Sequence, residues 1–236
     1  MTALLSVTGL SSGYRQQRVL HEIDLEVPQG SVSAIIGPNG HGKSTLLKAI
    51  SGLLPSWSGE TVFDGEAMPN GAPERARRGL VLVPQGDQLF MGMTVEENLM
   101  MGAFARKDSG AIKASLEEVY TLFPRLLERR TQRAESLSGG ERRMVGIGRG
   151  MMANGKLMMI DEPSLGLAPL IIEQIYEALN VLATGSRSIM VVEENPSRVA
   201  NVASTFHLMD GGRFTWSGDA DALAGSGDIL KTYLGG

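Results

Sequence analysis

The run Gly37-Pro38-Asn39-Gly40-His41-Gly42-Lys43-Ser44-Thr45 has the residue types and spacing to grip the phosphates of a nucleoside triphosphate. Its glycines let backbone N–H groups curl around an anion with no Cβ in the way. Residues 32–36 before it are apolar and read as a buried strand, and residues 46–50 after it read as the start of a helix. A helix N-terminus adds partial positive charge where the phosphates would sit. In that setting Lys43 reaches the terminal phosphates and the Ser44 hydroxyl ligates Mg²⁺.

A second group of candidates closes a later strand. Met158-Met159-Ile160 is followed by Asp161-Glu162. In a parallel sheet, ligands bind beyond the carboxyl ends of the strands, so this pair is expected beside the phosphate loop. Asp161 then serves Mg²⁺, directly or through water, and Glu162 polarises an attacking water as general base. A third group is Leu137-Ser138-Gly139-Gly140-Glu141, a capping box in form, with two glycines at a helix start. It offers a second anion-binding surface. One nucleotide site in one chain has no use for two such surfaces, whereas a head-to-tail pair of chains does.

These residues need elements to hold them. Leu20, Ile23, Leu25 and Val27 before Pro28-Gln29-Gly30, and Thr61-Val62-Phe63 before Asp64-Gly65, read as short antiparallel strands. Residues 80–83 are another buried strand, ending at Pro84-Gln85. Thr94-Val95-Glu96-Glu97 is a capping box, and Ile112, Leu116, Val119 and Phe123 recur at helical spacing. Residues from about 89 to 150 are therefore expected to be a helical insertion. Further on, a helix carries Ile171, Ile172, Ile175, Leu179 and Leu182 on one face, with Pro169 near its start. Residues 189–192 form the next strand, and Asp210-Gly211-Gly212 joins a hairpin followed by a short helical tail. Alternating strands and helices predict an α/β fold with a parallel sheet covered on both faces.

Composition narrows the class. The 236 residues carry a net charge of −4, so nothing points to nucleic acid. The local cluster Arg125, Arg129, Arg130 and Arg133 reads as a solvated helix end. The absence of cysteine removes disulfides and thiolate metal sites. Residues 1–9 lack the features of a signal peptide, and no apolar run approaches about 18 residues, so membrane association is expected only through partners. Most of the 13 methionines are expected to fill core.

Phosphate loop, Leu-Ser-Gly-Gly-Glu turn and strand-Asp-Glu, in this order over nearly the whole chain, resemble the ATP-binding subunits of ABC transporters. Leu122-Phe123-Pro124-Arg125-Leu126 through Glu128-Arg129-Arg130, together with Thr94-Val95-Glu96-Glu97-Asn98-Leu99, narrow the resemblance to the branch for branched-chain amino acid uptake, the LivF type. Asp161-Glu162-Pro163-Ser164-Leu165-Gly166-Leu167-Ala168-Pro169 and the terminal Tyr233-Leu234-Gly235-Gly236 are similar to that branch too.

The resemblance implies a P-loop ATPase with a RecA-like core and antiparallel β layer, residues 1–88 and 151–236, and a helical subdomain over about 89–150. It assigns Tyr14 to stacking on adenine, Gln85 to Mg²⁺ or the attacking water, and the residues after Gln85 to permease contact. Ser164 to Leu167 would cross a dimer interface. It implies ATP and Mg²⁺ as cofactors. The expected partners are two integral-membrane permeases, a second ATP-binding subunit in a heterodimer, and a solute-binding protein acting through the permeases. The chain would sit at the cytoplasmic face of the membrane. Urea, short amides and other amino acids are neighbouring solute classes. Readings outside transport are a DNA- or ribosome-directed ABC ATPase and a weakly hydrolysing regulatory subunit.

One position departs from the family pattern. Histidine, or glutamine in this branch, is usual where Glu194 stands. Either can donate a hydrogen bond to the γ-phosphate, whereas an ionised glutamate cannot. Slower hydrolysis than in a histidine-bearing relative is expected. His41 also stands where a small residue is common, and a direct ligand role for its side chain is not expected. Gly146, Gly148 and Gly150 each cost a helix about 1 kcal/mol against alanine, for no reason visible in the sequence.

Overall fold

The computed structural model describes residues 3–86, 88–183 and 187–225. The first half runs β1 (Ala3–Tyr14), β2 (Gln17–Pro28), β3 (Val32–Ile36), α1 (Lys43–Ile50), β4 (Ser56–Phe63), β5 (Glu66–Ala67), α2 (Ala72–Arg77) and β6 (Leu80–Val83). Helices α3 (Val95–Gly102), α4 (Ser109–Leu122), α5 (Pro124–Glu128) and α6 (Gly139–Met152) follow. The chain then returns through β7 (Leu157–Asp161), α7 (Pro169–Ala183), β8 (Ser188–Glu193), β9 (Thr205–Asp210), β10 (Arg213–Asp219) and α8 (Ala220–Gly225). The tail Tyr233-Leu234-Gly235-Gly236 lies outside the described residues.

Two sheets result. The six-stranded sheet has the order β10-β9-β3-β8-β7-β6, parallel except for the β9–β10 hairpin. The four-stranded antiparallel sheet has the order β2-β1-β4-β5. Where short strands were expected near the N-terminus, β1 and β2 each run 12 residues. Bulges rather than breaks interrupt their pairing. One lies at Gly9, at φ +61°, whose N–H donates to Asp24 Oδ1 at 2.8 Å.

Strands buried on both faces read as unbroken apolar runs because each face has its own core. Ala34 and Ile36 of β3 face one cluster with Met158, Ile160 and Val191. Helices α3 to α7 contribute Leu99, Val119, Ile147 and Leu179 to it. Ile35, Met159, Met190 and Val192 face the other, with Leu46, Leu47 and Ile50 of α1 and with Leu5, Leu20 and Phe63 of the antiparallel sheet. The methionines divide as expected: seven are buried core, including Met144, Met152 and Met209, while Met91, Met100 and Met101 are exposed.

The sheet order sets the site. β3, β8, β7 and β6 are parallel neighbours, so their carboxyl ends lie side by side. Those ends lead into the phosphate loop, Glu194, Glu162 and Gln85 respectively.

The glycines of α6 also find their reason here. A Cβ at Gly148 would stand 2.8 Å from Leu99 and 2.9 Å from Val119, and one at Gly150 would stand 2.5 Å from Val83 Cγ2. These glycines let α6 approach α3, α4 and the end of β6 more closely than an alanine would. Gly146 is buried in the same helix.

Candidate phosphate-binding site

Helix α1 begins at Lys43, before the apolar run starts, because Gly42 at φ +104° turns the chain into the helix. No side chain caps this N-terminus. Its first-turn N–H groups therefore stay open to an anion, with Gly40 at φ +83° beside them. The loop borders a cavity of about 280 Å³ lined by Asn39, Gly40, Gly42, Lys43, Ser44, Thr45, Gln85 and Glu162. Gly37 and Pro38 lie under it, and their carbonyls accept from Lys43 Nζ at 2.8 and 3.1 Å.

The acidic pair arrives where expected. Ser44 Oγ donates to Asp161 Oδ1 at 3.0 Å. Burial pushes the Asp161 carboxyl above its usual range; the Ser44 hydrogen bond opposes this and the Glu162 charge adds to it. Glu162 is 7% exposed and its Oε1 lies 3.3 Å from Lys43 Nζ. Gln85 Nε2 donates to Glu162 Oε2 at 2.8 Å. Five candidates from three distant stretches thus meet, as the contact chain Gln85–Glu162–Lys43 with Ser44–Asp161 alongside.

These residues fit a magnesium–nucleotide pair. The uncapped helix start and cavity suit phosphate. Among the described residues no group of three His, Cys, Asp or Glu side chains could hold a metal by itself. The donors are one hydroxyl, one carboxylate and one amide, a set that suits Mg²⁺ when phosphate oxygens complete the shell.

Glu194 turns its carboxylate to the loop, accepting from Asn39 Nδ2 at 3.1 Å. His41 points away from the cavity. Its Nδ1 lies 2.7 Å from Asp210 Oδ1, and its carbonyl accepts from Gly212 N at 3.1 Å. The side chain thus docks the phosphate loop on the β9–β10 hairpin. Tyr14 closes β1 and is 44% exposed; it does not line the cavity. Neither do Ser138, Gly139 and Gly140.

The signature turn is built as its sequence suggests. Ser138 Oγ accepts from Glu141 N at 3.3 Å, and Glu141 Oε2 accepts from Ser138 N at 2.9 Å. Ser138 and Gly139 are exposed, while Gly140 packs on Ile171. The arginine cluster is more than a solvated helix end. Arg129 Nε lies 2.6 Å, and Arg125 Nε 3.3 Å, from Glu141 Oε1. Burial would raise the Glu141 carboxyl, but the Ser138 hydrogen bonds and these arginines hold it below its usual range. The arginines offset the Glu141 charge, which would otherwise oppose an anion at this helix start.

Sequence reasoning missed Glu193. It is 1% exposed at the end of β8. Its Oε1 accepts from Ser164 N at 3.1 Å and from Tyr176 Oη at 2.8 Å, and Arg198 lies 3.7 Å from Oε2. Arg198 also donates to Ser164 Oγ. This network fixes the loop after Glu162. An acid closing an otherwise apolar strand was the available signal.

Residues 20–165 match the family model described as ABC transporter. The chain is 38% identical to the high-affinity branched-chain amino acid transport ATP-binding protein BraG of Pseudomonas aeruginosa, covering 99% of this chain and 100% of that one. It is 32% identical to a probable branched-chain amino acid transport ATP-binding protein, LivF, of Archaeoglobus fulgidus, covering 98% and 99%. Identity is 28% to the lipopolysaccharide export system ATP-binding protein LptB of Haemophilus influenzae, covering 99% and 98%. The ADP conformation of a solved ATP-binding cassette of an ABC transporter superposes with a TM-score of 0.84 at 26% identity, covering 100% of both chains. The chain belongs to the ATP-binding subunits of ABC transporters, the P-loop ATPases that hydrolyse ATP to power transport with membrane permease subunits.

Proposed function

We propose that this chain is the motor subunit of an importer for branched-chain amino acids. The observation that carries this reading is the full-length 38% identity to BraG, against 28% to the lipopolysaccharide-export relative. In this reading the phosphate-loop amides and Lys43 hold the β- and γ-phosphates, and Tyr14 stacks on adenine. Ser44, Asp161 and Gln85 would hold Mg²⁺, which when bound neutralises charge between the phosphates. Glu162 orients a water and takes its proton as it attacks the γ-phosphorus in line. Lys43 and the α1 N-terminus stabilise the charge that develops. The Ser138–Gly140 turn faces the nucleotide of a second ATP-binding subunit, and residues 89–150 form the arm that meets the permeases.

The permease surface is supported by exposed apolar residues after Gln85: Phe90, Met91, Met100, Met101 and Phe104. Asn98 pins the loop to α3 by accepting from Phe90 N at 2.9 Å and donating to Phe90 O at 3.0 Å. Among the described residues no helix is long and apolar enough to cross a membrane, so a cytoplasmic-face location would rest on those partners.

The test is affinity purification of the tagged chain from detergent-solubilised membranes, then ATPase assays of the recovered complex. Two permeases, a second ATPase, and stimulation by a solute-binding protein loaded with leucine, isoleucine or valine are expected. Stimulation by urea, an amide or lipopolysaccharide instead would replace the solute. A ribosomal or nucleic-acid partner set would overturn the transport role. Within that complex Glu162→Gln is expected to lower kcat by on the order of 10²–10⁴-fold with ATP still bound.

A further inference from the structure

Arg143 sits in the first turns of α6, the helix that begins with the signature turn, and is 4% exposed. Its guanidinium donates to three backbone carbonyls: Asp161 O at 2.6 Å, Pro84 O at 2.9 Å and Pro163 O at 3.3 Å. Asp161 and Pro163 flank Glu162, and Pro84 precedes Gln85. One side chain therefore grips the backbone beside both members of the Gln85–Glu162 hydrogen bond.

That grip falls where the backbone is strained. Glu162 has φ +45°, a left-handed conformation costly for a residue with a side chain. Such a conformation persists only when its surroundings over-determine it. Glu162 N donates to Val192 O at 3.0 Å, fixing one side of the peptide. The Arg143 fork fixes the carbonyls before and after it. Few side chains could do so, because only arginine offers five donors in a rigid plane.

We propose that Arg143 is a positioning residue for hydrolysis. It holds the Glu162 and Gln85 backbones in register and ties both to the helix that carries the Ser138–Gly140 turn. The proposal rests on the reading of Glu162 as general base. Arg143 lines the cleft shared by Gln85, Gly139 and Glu162 but not the phosphate-loop cavity. Its loss should therefore slow the chemical step while leaving nucleotide affinity in place.

The test uses the full-length chain in its membrane-derived complex. Arg143→Gln and Arg143→Lys are compared with wild type for kcat, KM and ATP affinity, with a thermal melt to establish folding. Each is expected to lower kcat on the order of 10- to 100-fold, the scale of small misplacements of reacting groups, with KM and affinity within about threefold. Lysine keeps charge and stem but not the fork, so Arg143→Lys serves if the glutamine variant does not fold. In a Glu162→Gln background, Arg143→Gln should add less than about threefold, since the group it positions is gone. Wild-type kcat in a folded Arg143 variant, equal losses in kcat and affinity, or a fully additive double variant would overturn the proposal. Wild-type hydrolysis by Glu162→Gln alone would instead sink the general-base reading. A silent Arg143→Gln beside an inactive Glu162→Gln would sink this inference only.

Discussion

Asn39 Nδ2 donates to Glu194 Oε2 at 3.1 Å, joining the phosphate loop to the residue that follows β8. Where the family resemblance leads one to expect a donor to the γ-phosphate, this chain presents a carboxylate already engaged by its own loop. Glutamine at 194 keeps an oxygen for Asn39 and gains an N–H for the phosphate. A hydrogen bond to a charged group is worth about 1.5–3 kcal/mol. Glu194→Gln is therefore expected to raise kcat by roughly 10- to 100-fold. Steady-state hydrolysis at saturating ATP checks this, and an unchanged rate would count against a role for the charge.

Glu193 holds the Ser164 loop from within. Glu193→Gln removes the charge that faces Arg198: its amide oxygen can still accept from Ser164 N and Tyr176 Oη, but its NH2 then stands against the Arg198 guanidinium. A destabilisation of about 1–3 kcal/mol is expected, with Tyr176→Phe costing about 1 kcal/mol. Denaturant unfolding of both variants measures this. A Glu193→Gln midpoint equal to wild type would show that the network carries no net stability.

The α6 glycines make a prediction whose sign depends on magnitude. Alanine at 150 gains about 1 kcal/mol in helix propensity. Its Cβ would lie 2.5 Å from Val83 Cγ2 and 3.3 Å from Met158 Sδ, both in packed strands. Overpacking costs about 1–3 kcal/mol, so the clash should win. Gly150→Ala should melt below wild type, and a raised Tm would mean that α6 can shift away from β6 without penalty.

His207 links stability to acid. It is 9% exposed in β9, its Nδ1 lies 2.8 Å from Ser217 Oγ, and burial lowers its pKa to about 4 from an ordinary 6.5. A depressed folded-state value means the fold prefers the neutral ring. Its contribution is full above pH 6.5 and is lost as the pH falls toward 4, by about 3 kcal/mol in all. His207→Phe should flatten the stability profile across that window; an unchanged slope would assign acid sensitivity elsewhere.

Much of the site was legible because it is local. The phosphate loop, the capping boxes at Thr94 and Ser138, and the strand ending at Asp161-Glu162 are each set by residues within a few positions of one another. Side-chain hydrogen bonding to nearby backbone and apolar periodicity act at that range. Alternating strands and helices further implied a parallel sheet, whose carboxyl ends converge whatever the loop details.

Tertiary structure decided the rest, because the partners lie far apart in sequence. Nothing near Arg143 indicates that it serves Pro84, Asp161 and Pro163, and nothing near Glu141 announces Arg125 and Arg129. Glu194 finds Asn39 across 155 positions, and Gln85 finds Glu162 across 77. The glycines of α6 look like a flaw in a helix until β6 and α3 are packed against them. Local chemistry in the chain wrote the phosphate grip, the caps and the acidic pair. Packing alone brought Glu162 its strained backbone and the distant groups that hold it, since only a folded sheet brings four strand ends together.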